Sequence, residues 1–216
     1  MSRTFADRTD AARQLAAALS TYRGSNPLVL AIPRGGVPIG RIVADALGGE
    51  LDVVLVRKLG APFNRELAIG AVDERGAIHL EPHARRARAD AAFVEEEASR
   101  ELGLIRERRH RYRPGRAPID PAGRTVIVVD DGLATGATMR AALSALRAMH
   151  PTRLVCAVPV AAPESLEAVE DLCDEVVCLL APSDFYAVGQ FYDDFLPVRD
   201  DDVVALLADH PTGRQL

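Results

Sequence analysis

The residues with the clearest chemical potential run from Val126 to Thr138: Val-Ile-Val-Val-Asp-Asp-Gly-Leu-Ala-Thr-Gly-Ala-Thr. An apolar run ends in two adjacent carboxylates, Asp130 and Asp131, and a loop of small residues then opens a helix. In such a loop the backbone N–H groups and the hydroxyls of Thr135 and Thr138 converge where the helix dipole favours a phosphate. The paired acids can accept hydrogen bonds from the hydroxyls of a ribose. An anion cradle one sugar length from a diol binder describes a site for a ribose 5-phosphate group. Adjacent acids could also follow a strand by chance, but apolar run, acids, Thr, Gly and Thr in this order argue against it.

Residues of this kind need strand ends to hold them, and the hydrophobic pattern supplies strands. A helix is expected from Asp7 to Tyr22, then a buried strand from Pro27 to Ile32, a turn at Pro33-Arg34-Gly35-Gly36 and a helix to Leu47 stopped by Gly48-Gly49. Leu51 to Val56 reads as a second strand and Thr125 to Val129 as a third, followed by a helix to about Met149. Strand Leu154 to Val160, helix Glu164 to Leu172 and strand Glu175 to Leu179 complete the alternation. The expected fold is α/β, an open and mainly parallel sheet covered by helices on both faces, with ligands at the carboxyl ends of the strands. The stretch from Leu59 to Pro118 breaks this rhythm and is expected to be an insertion in a single domain spanning residues 1–216. Its first part reads as a loop and a hairpin (Leu67 to Val72, Ala77 to Leu80), and its second part as a long charged helix.

Taken together, these segments resemble the type I phosphoribosyltransferases, whose signature for 5-phosphoribosyl 1-diphosphate (PRPP) is an apolar strand, an acidic pair and a TGxT-like loop. The resemblance covers about Leu28 to Leu180. It implies that Asp130 and Asp131 hold the ribose hydroxyls and, directly or through water, Mg²⁺, while Ala134, Thr135, Gly136, Ala137 and Thr138 take the 5-phosphate. Pro33-Arg34-Gly35-Gly36 is similar to the family's pyrophosphate loop, in which Gly35 and Gly36 admit the diphosphate and Arg34 meets its oxygens; a cis peptide is expected here. Arg57-Lys58-Leu59-Gly60-Ala61-Pro62 resembles the segment that leads into the mobile catalytic loop of adenine phosphoribosyltransferases, so residues Leu59 to Glu66 are expected to close over PRPP. Lys58 is the only lysine beside 25 arginines, as though a compact, flexible ammonium were needed there. Arg34, Lys58, Asp130 and Asp131 are thus the expected catalytic set, with Arg57 adding PRPP contacts. Ala134 stands where 6-oxopurine enzymes carry an acid, as it does in adenine enzymes, which leaves Glu66 as a candidate base. Gly132 departs from the family pattern, which more often has an apolar residue.

A C-terminal hood over the base, about residues 181–216, is also implied. Five of the ten aromatics lie between Pro182 and Pro197, and Phe191, Tyr192 and Asp193 are expected to contact a heterocycle, with packing onto the sheet as the alternative for each ring. The implied activity is transfer of a phosphoribosyl group to a small heterocyclic base, a step of nucleotide salvage, by a homodimer. A regulator that binds PRPP without turnover is the alternative.

Composition sets the remaining bounds. With 48% hydrophobic residues in 216, a substantial core can form, which excludes disorder. A net charge of -5 makes nucleic acid an unfavoured partner unless a local basic patch exists. Such a patch is conceivable between Arg85 and Arg116, where ten arginines face six acids, although a solvated or dimer-contact helix explains the same residues. No window is long and apolar enough for a membrane span. Cys156, Cys173 and Cys178 lack metal-ligand spacing and are expected to be buried thiols of a cytoplasmic protein. The five histidines, His79, His83, His110, His150 and His210, show no ligand spacing either.

Overall fold

The computed structural model describes residues 4–81, 84–87 and 89–208. Strands β1 (Leu28–Ala31), β2 (Glu50–Val53), β6 (Thr125–Val129), β7 (Arg153–Val160) and β8 (Glu175–Leu180) form a parallel sheet in the order β2-β1-β6-β7-β8. Alternation along the central strands sends Val29, Ala31, Ile127 and Val129 to one apolar layer and Leu28, Leu30, Val126 and Val128 to the other. Helices α1 (Arg8–Ala18) and α2 (Gly36–Leu47) cover the first layer, and α4 (Ala137–Arg147) and α5 (Pro163–Glu170) cover the second. The expected parallel sheet with helices on both faces is therefore the observed fold. Gly48 closes α2 in the left-handed region at φ 68°, which a side chain would resist.

The second strand differs from its expected extent. β2 ends at Val53, and Val56 begins β3 (Val56–Ala61) in a separate antiparallel sheet with β4 (Asn64–Asp73) and β5 (Ile78–Leu80). The Val54 N–H still donates to the Ala31 carbonyl at 3.0 Å, but the next donor on the β1 side would be Pro33, which has no N–H, so the ladder stops; on the outer edge of β2 the Arg113 guanidinium takes the Val53 carbonyl and donates to Asp52 at 2.6 Å. Leu59 to Glu66, expected as a loop, instead forms the β3–β4 hairpin. The pairing shifts register on both sides of Gly60, and a Cβ there would lie 2.8 Å from the Arg65 carbonyl oxygen, so this close approach requires glycine.

Helix α3 (Ala91–Tyr112) is not solvated all round: Val94, Ala98, Ile105 and Tyr112 are buried against β3, β4 and the C-terminal helix α6 (Asp200–Ala208). Asp90 caps its first turn by accepting from the Phe93 N–H at 2.8 Å. The like charges of Glu97 and Glu101 are bridged by Arg100, which pairs with both. Cys156 is buried, but Cys173 and Cys178 are only half-buried, which corrects the expectation for those two; burial lifts the Cys178 thiol to about 11. Among the described residues, no helix is long and apolar enough to cross a membrane. His83 and His210 lie outside the described residues.

Candidate phosphoribosyl site

The carboxyl ends of β1 and β6 bring the first-turn glycines and the acidic pair into contact. The Pro33–Arg34 peptide is cis, and a Cβ on Gly35 would fall 1.9 Å from Asp131 Oδ2. Only glycine lets this turn pass so close to the carboxylate.

Adjacent in sequence, the two acids have different surroundings. Asp130 lines a cleft of about 330 Å³ with Pro33, Arg57, Lys58, Arg108 and Thr138. Its Oδ1 accepts the Asp131 N–H at 2.8 Å, and it makes no ion pair among the described residues. Burial, and then the charge of Asp131, push its pKa well above the ordinary carboxylate value. Asp131 is raised by burial too, but Arg8 opposes the shift, donating from Nη2 at 2.7 Å and Nε at 3.0 Å. Arg8 also donates to the Leu196 carbonyl at 2.8 Å and lies 3.8 Å from the centre of the Phe195 ring. No local pattern in the sequence distinguishes Arg8 from its charged neighbours.

In the loop after β6, Gly136 adopts φ 67° and caps α4, while Ser165 Oγ donates to the Ala134 carbonyl at 2.7 Å. Thr135 and Thr138 are exposed. Thr138 faces the Asp130 cleft, whereas Thr135 and Ala137 line a neighbouring cavity of about 420 Å³ with His79 and Arg140; Lys58 lines both. Arg57 donates to Glu101 Oε2 at 2.7 Å, and Arg34 sits 3.9 Å from Asp200 Oδ1. Both arginines thus have carboxylate partners in this structure. Glu66 lies in β4, and its side chain is outside the described ones.

The hood corrects two expected base contacts. Phe191 and Tyr192 are buried, Phe191 stacked on Phe185 and Tyr192 on Phe195, with the Tyr192 hydroxyl donating to the Asp131 carbonyl at 2.7 Å. Their ring faces are spent on packing the hood against Phe5 and Val160. Asp193 is exposed, its N–H bound to the Phe5 carbonyl at 2.8 Å.

Gly132 belongs to the same packing. A Cβ there would lie 2.7 Å from Val188 Cγ1 and 3.1 Å from Val160 Cγ1, so the glycine admits the hood residue Val188. Gly132→Ala is expected to destabilise the protein by about 1–3 kcal/mol through overpacking. Adding Val188→Ala should restore most of that loss in denaturant unfolding. Equal stability of Gly132→Ala and the wild type would disprove the contact.

A parallel sheet with helices on both faces, whose strand ends join an acidic pair to a glycine-rich helix start, together with a small antiparallel sheet, is a type I phosphoribosyltransferase-like fold. The phosphoribosyl transferase domain matches residues 5–196, and the chain belongs to that family. It is 44% identical over 204 residues to a Mycobacterium tuberculosis protein that carries the name phosphoribosyl transferase provisionally; the match covers 94% of this chain and 46% of that protein's length. The chain therefore spans about half of that relative. A Chloroflexus aurantiacus bifunctional protein PyrR is 34% identical over 130 residues, covering 59% of this chain and 66% of that protein. Among solved structures, the protein TT1426 of Thermus thermophilus superposes with a TM-score of 0.89 at 50% identity, over 94% of this chain and 97% of that one.

Proposed function

We propose that the protein transfers the 5-phosphoribosyl group from PRPP to a nitrogen heterocycle and releases pyrophosphate. The observation that carries this reading is Asp130, a carboxylate without an ion pair among the described residues, lining one cleft with Lys58 and Thr138 at the start of α4. In the reaction the bond from ribose C1 to the diphosphate oxygen breaks and a bond from C1 to the base nitrogen forms, the nitrogen's proton passing to the departing diphosphate or to solvent. Negative charge gathers on the leaving diphosphate while the sugar gains oxocarbenium character. Lys58 at the cleft wall counters the first, and the carboxylates beside the ribose hydroxyls favour the second. The loop from Ala134 to Thr138 anchors the 5-phosphate and so fixes C1 relative to Asp130.

Magnesium fits this donor set. Asp130 offers hard oxygen ligands, and no group of three or more His, Cys, Asp or Glu among the described residues could hold an ion on protein ligands alone. Held beside Asp130, the ion would supply positive charge that offsets the charge gathering on the leaving diphosphate.

Calorimetric titration of PRPP with magnesium, followed by pyrophosphate release against a panel of purines, pyrimidines and other heterocycles, tests the proposal. Binding with base-dependent release is the expected result. Binding without release for every base would favour a PRPP-responsive regulator, and no binding would overturn both readings.

A further inference from the structure

Helix α3 brings Ile105 and Arg108 to the cleft. Glu101, Ile105, Arg108 and Tyr112 follow at spacings of four, three and four residues and therefore share a face. Three of them have evident tasks: Glu101 accepts from Arg57, Ile105 is buried in the cleft wall, and Tyr112 donates to Asp200 of α6 at 2.5 Å. Arg108 lies between them and lines the same cleft as Pro33, Lys58, Asp130 and Thr138. Its guanidinium is accessible and makes no ion pair among the described residues. Of the two arginines expected to serve the diphosphate, Arg57 is paired with Glu101 at 2.7 Å, while Arg34 stands half-exposed 3.9 Å from Asp200.

We infer that Arg108 is a diphosphate-binding residue of this cleft, supplied by α3 from outside the strand-end motifs. The inference rests on the reading of the cleft as a PRPP site. A planar guanidinium with paired donors matches adjacent phosphate oxygens, and a site holding the carboxylate of Asp130 needs compensating positive charge before a polyanion can enter. The pairing of Arg57 with Glu101 on the same helix also fixes α3 against β3, so Arg108 is presented from a braced element.

Titration of inorganic pyrophosphate with magnesium, of PRPP and of ribose 5-phosphate into wild type, Arg108→Gln and Arg106→Gln tests it. Arg106 stands two residues away, on the opposite side of the helix, and is exposed. Arg108→Gln should weaken pyrophosphate and PRPP about tenfold, the loss of one charge-assisted contact, and leave ribose 5-phosphate unchanged. Arg106→Gln should leave all three affinities unchanged. Wild-type affinity of Arg108→Gln for pyrophosphate would overturn the inference while leaving the PRPP reading intact. Equal weakening of ribose 5-phosphate, or equal weakening by Arg106→Gln, would overturn the assignment to the diphosphate. Failure of the wild type to bind PRPP would instead remove the reading on which the inference stands.

Discussion

Asp130→Asn is expected to weaken PRPP binding at least a hundredfold without loosening the fold. The side chain makes one backbone hydrogen bond, from the Asp131 N–H, which an amide oxygen can still accept. Its charge is costly in the free protein, because burial and the neighbouring Asp131 both oppose ionisation. Neutralising it therefore leaves stability unchanged or slightly raised. The ligand loses more: hydrogen bonds to a charged acceptor contribute about 1.5–3 kcal/mol each, so two ribose hydroxyls account for roughly a hundredfold or more. Asp131→Asn should behave differently. It leaves Arg8 without its anion at the junction of the N-terminus and the hood, so stability and binding should fall together. Calorimetry with PRPP and thermal unfolding of both variants separate the two cases. Wild-type affinity in a folded Asp130→Asn protein would remove Asp130 from the site.

The difference between these two acids marks what the sequence can reveal. The run from Val126 to Thr138 is legible because its information is local: apolar alternation, two acids, then small residues with threonines at the start of a helix. The sheet is legible for the same reason, since Val29, Ala31, Ile127 and Val129 alternate with residues facing the other layer. Arg8 is not, because its partner stands 123 residues away and no periodicity records that distance. The break at Val53 is also hidden, for the run from Leu51 to Val56, apolar except for Asp52, looks the same whether or not the chain changes sheets within it. Gly60 and Pro62 suggest a loop where the backbone forms a hairpin, since both residues also suit a bulge and a turn. Aromatic content in the hood is equally ambiguous. Phe191 and Tyr192 could stack on a ligand or on Phe185 and Phe195, and only the packing decides.

Arg113 gives the largest expected effect on stability, although the sequence places it among ten arginines of a segment that looks like solvated surface. It is 3% exposed, and its guanidinium meets Asp52 at 2.6 Å, Glu74 at 2.6 Å and the Val53 carbonyl. Asp52, 1% exposed, also accepts from the Val53 and Ile119 N–H groups at 2.8 and 3.1 Å. Arg113→Met fills similar space but leaves Asp52 as an uncompensated buried charge. Breaking a buried pair in this way costs about 3–5 kcal/mol, or roughly 10 °C in melting temperature for a protein of this size. Adding Asp52→Asn should recover part of the loss, because it removes the stranded charge while its amide oxygen still accepts one of the two backbone N–H groups, which in the wild type go to different oxygens, Val53 to Oδ1 and Ile119 to Oδ2. The consequence reaches the cleft, since Arg113 holds the Asp52 side chain and the Val53 carbonyl at the end of β2, just before the strand that carries Arg57 and Lys58. Arg113→Met should therefore weaken PRPP binding as well as the fold, and the double variant should regain stability more than affinity, because the tie to the Val53 carbonyl stays broken. Denaturant unfolding of the two variants checks the order, and a single Arg113→Met protein as stable as the wild type would show that the buried cluster does not hold the two sheets together.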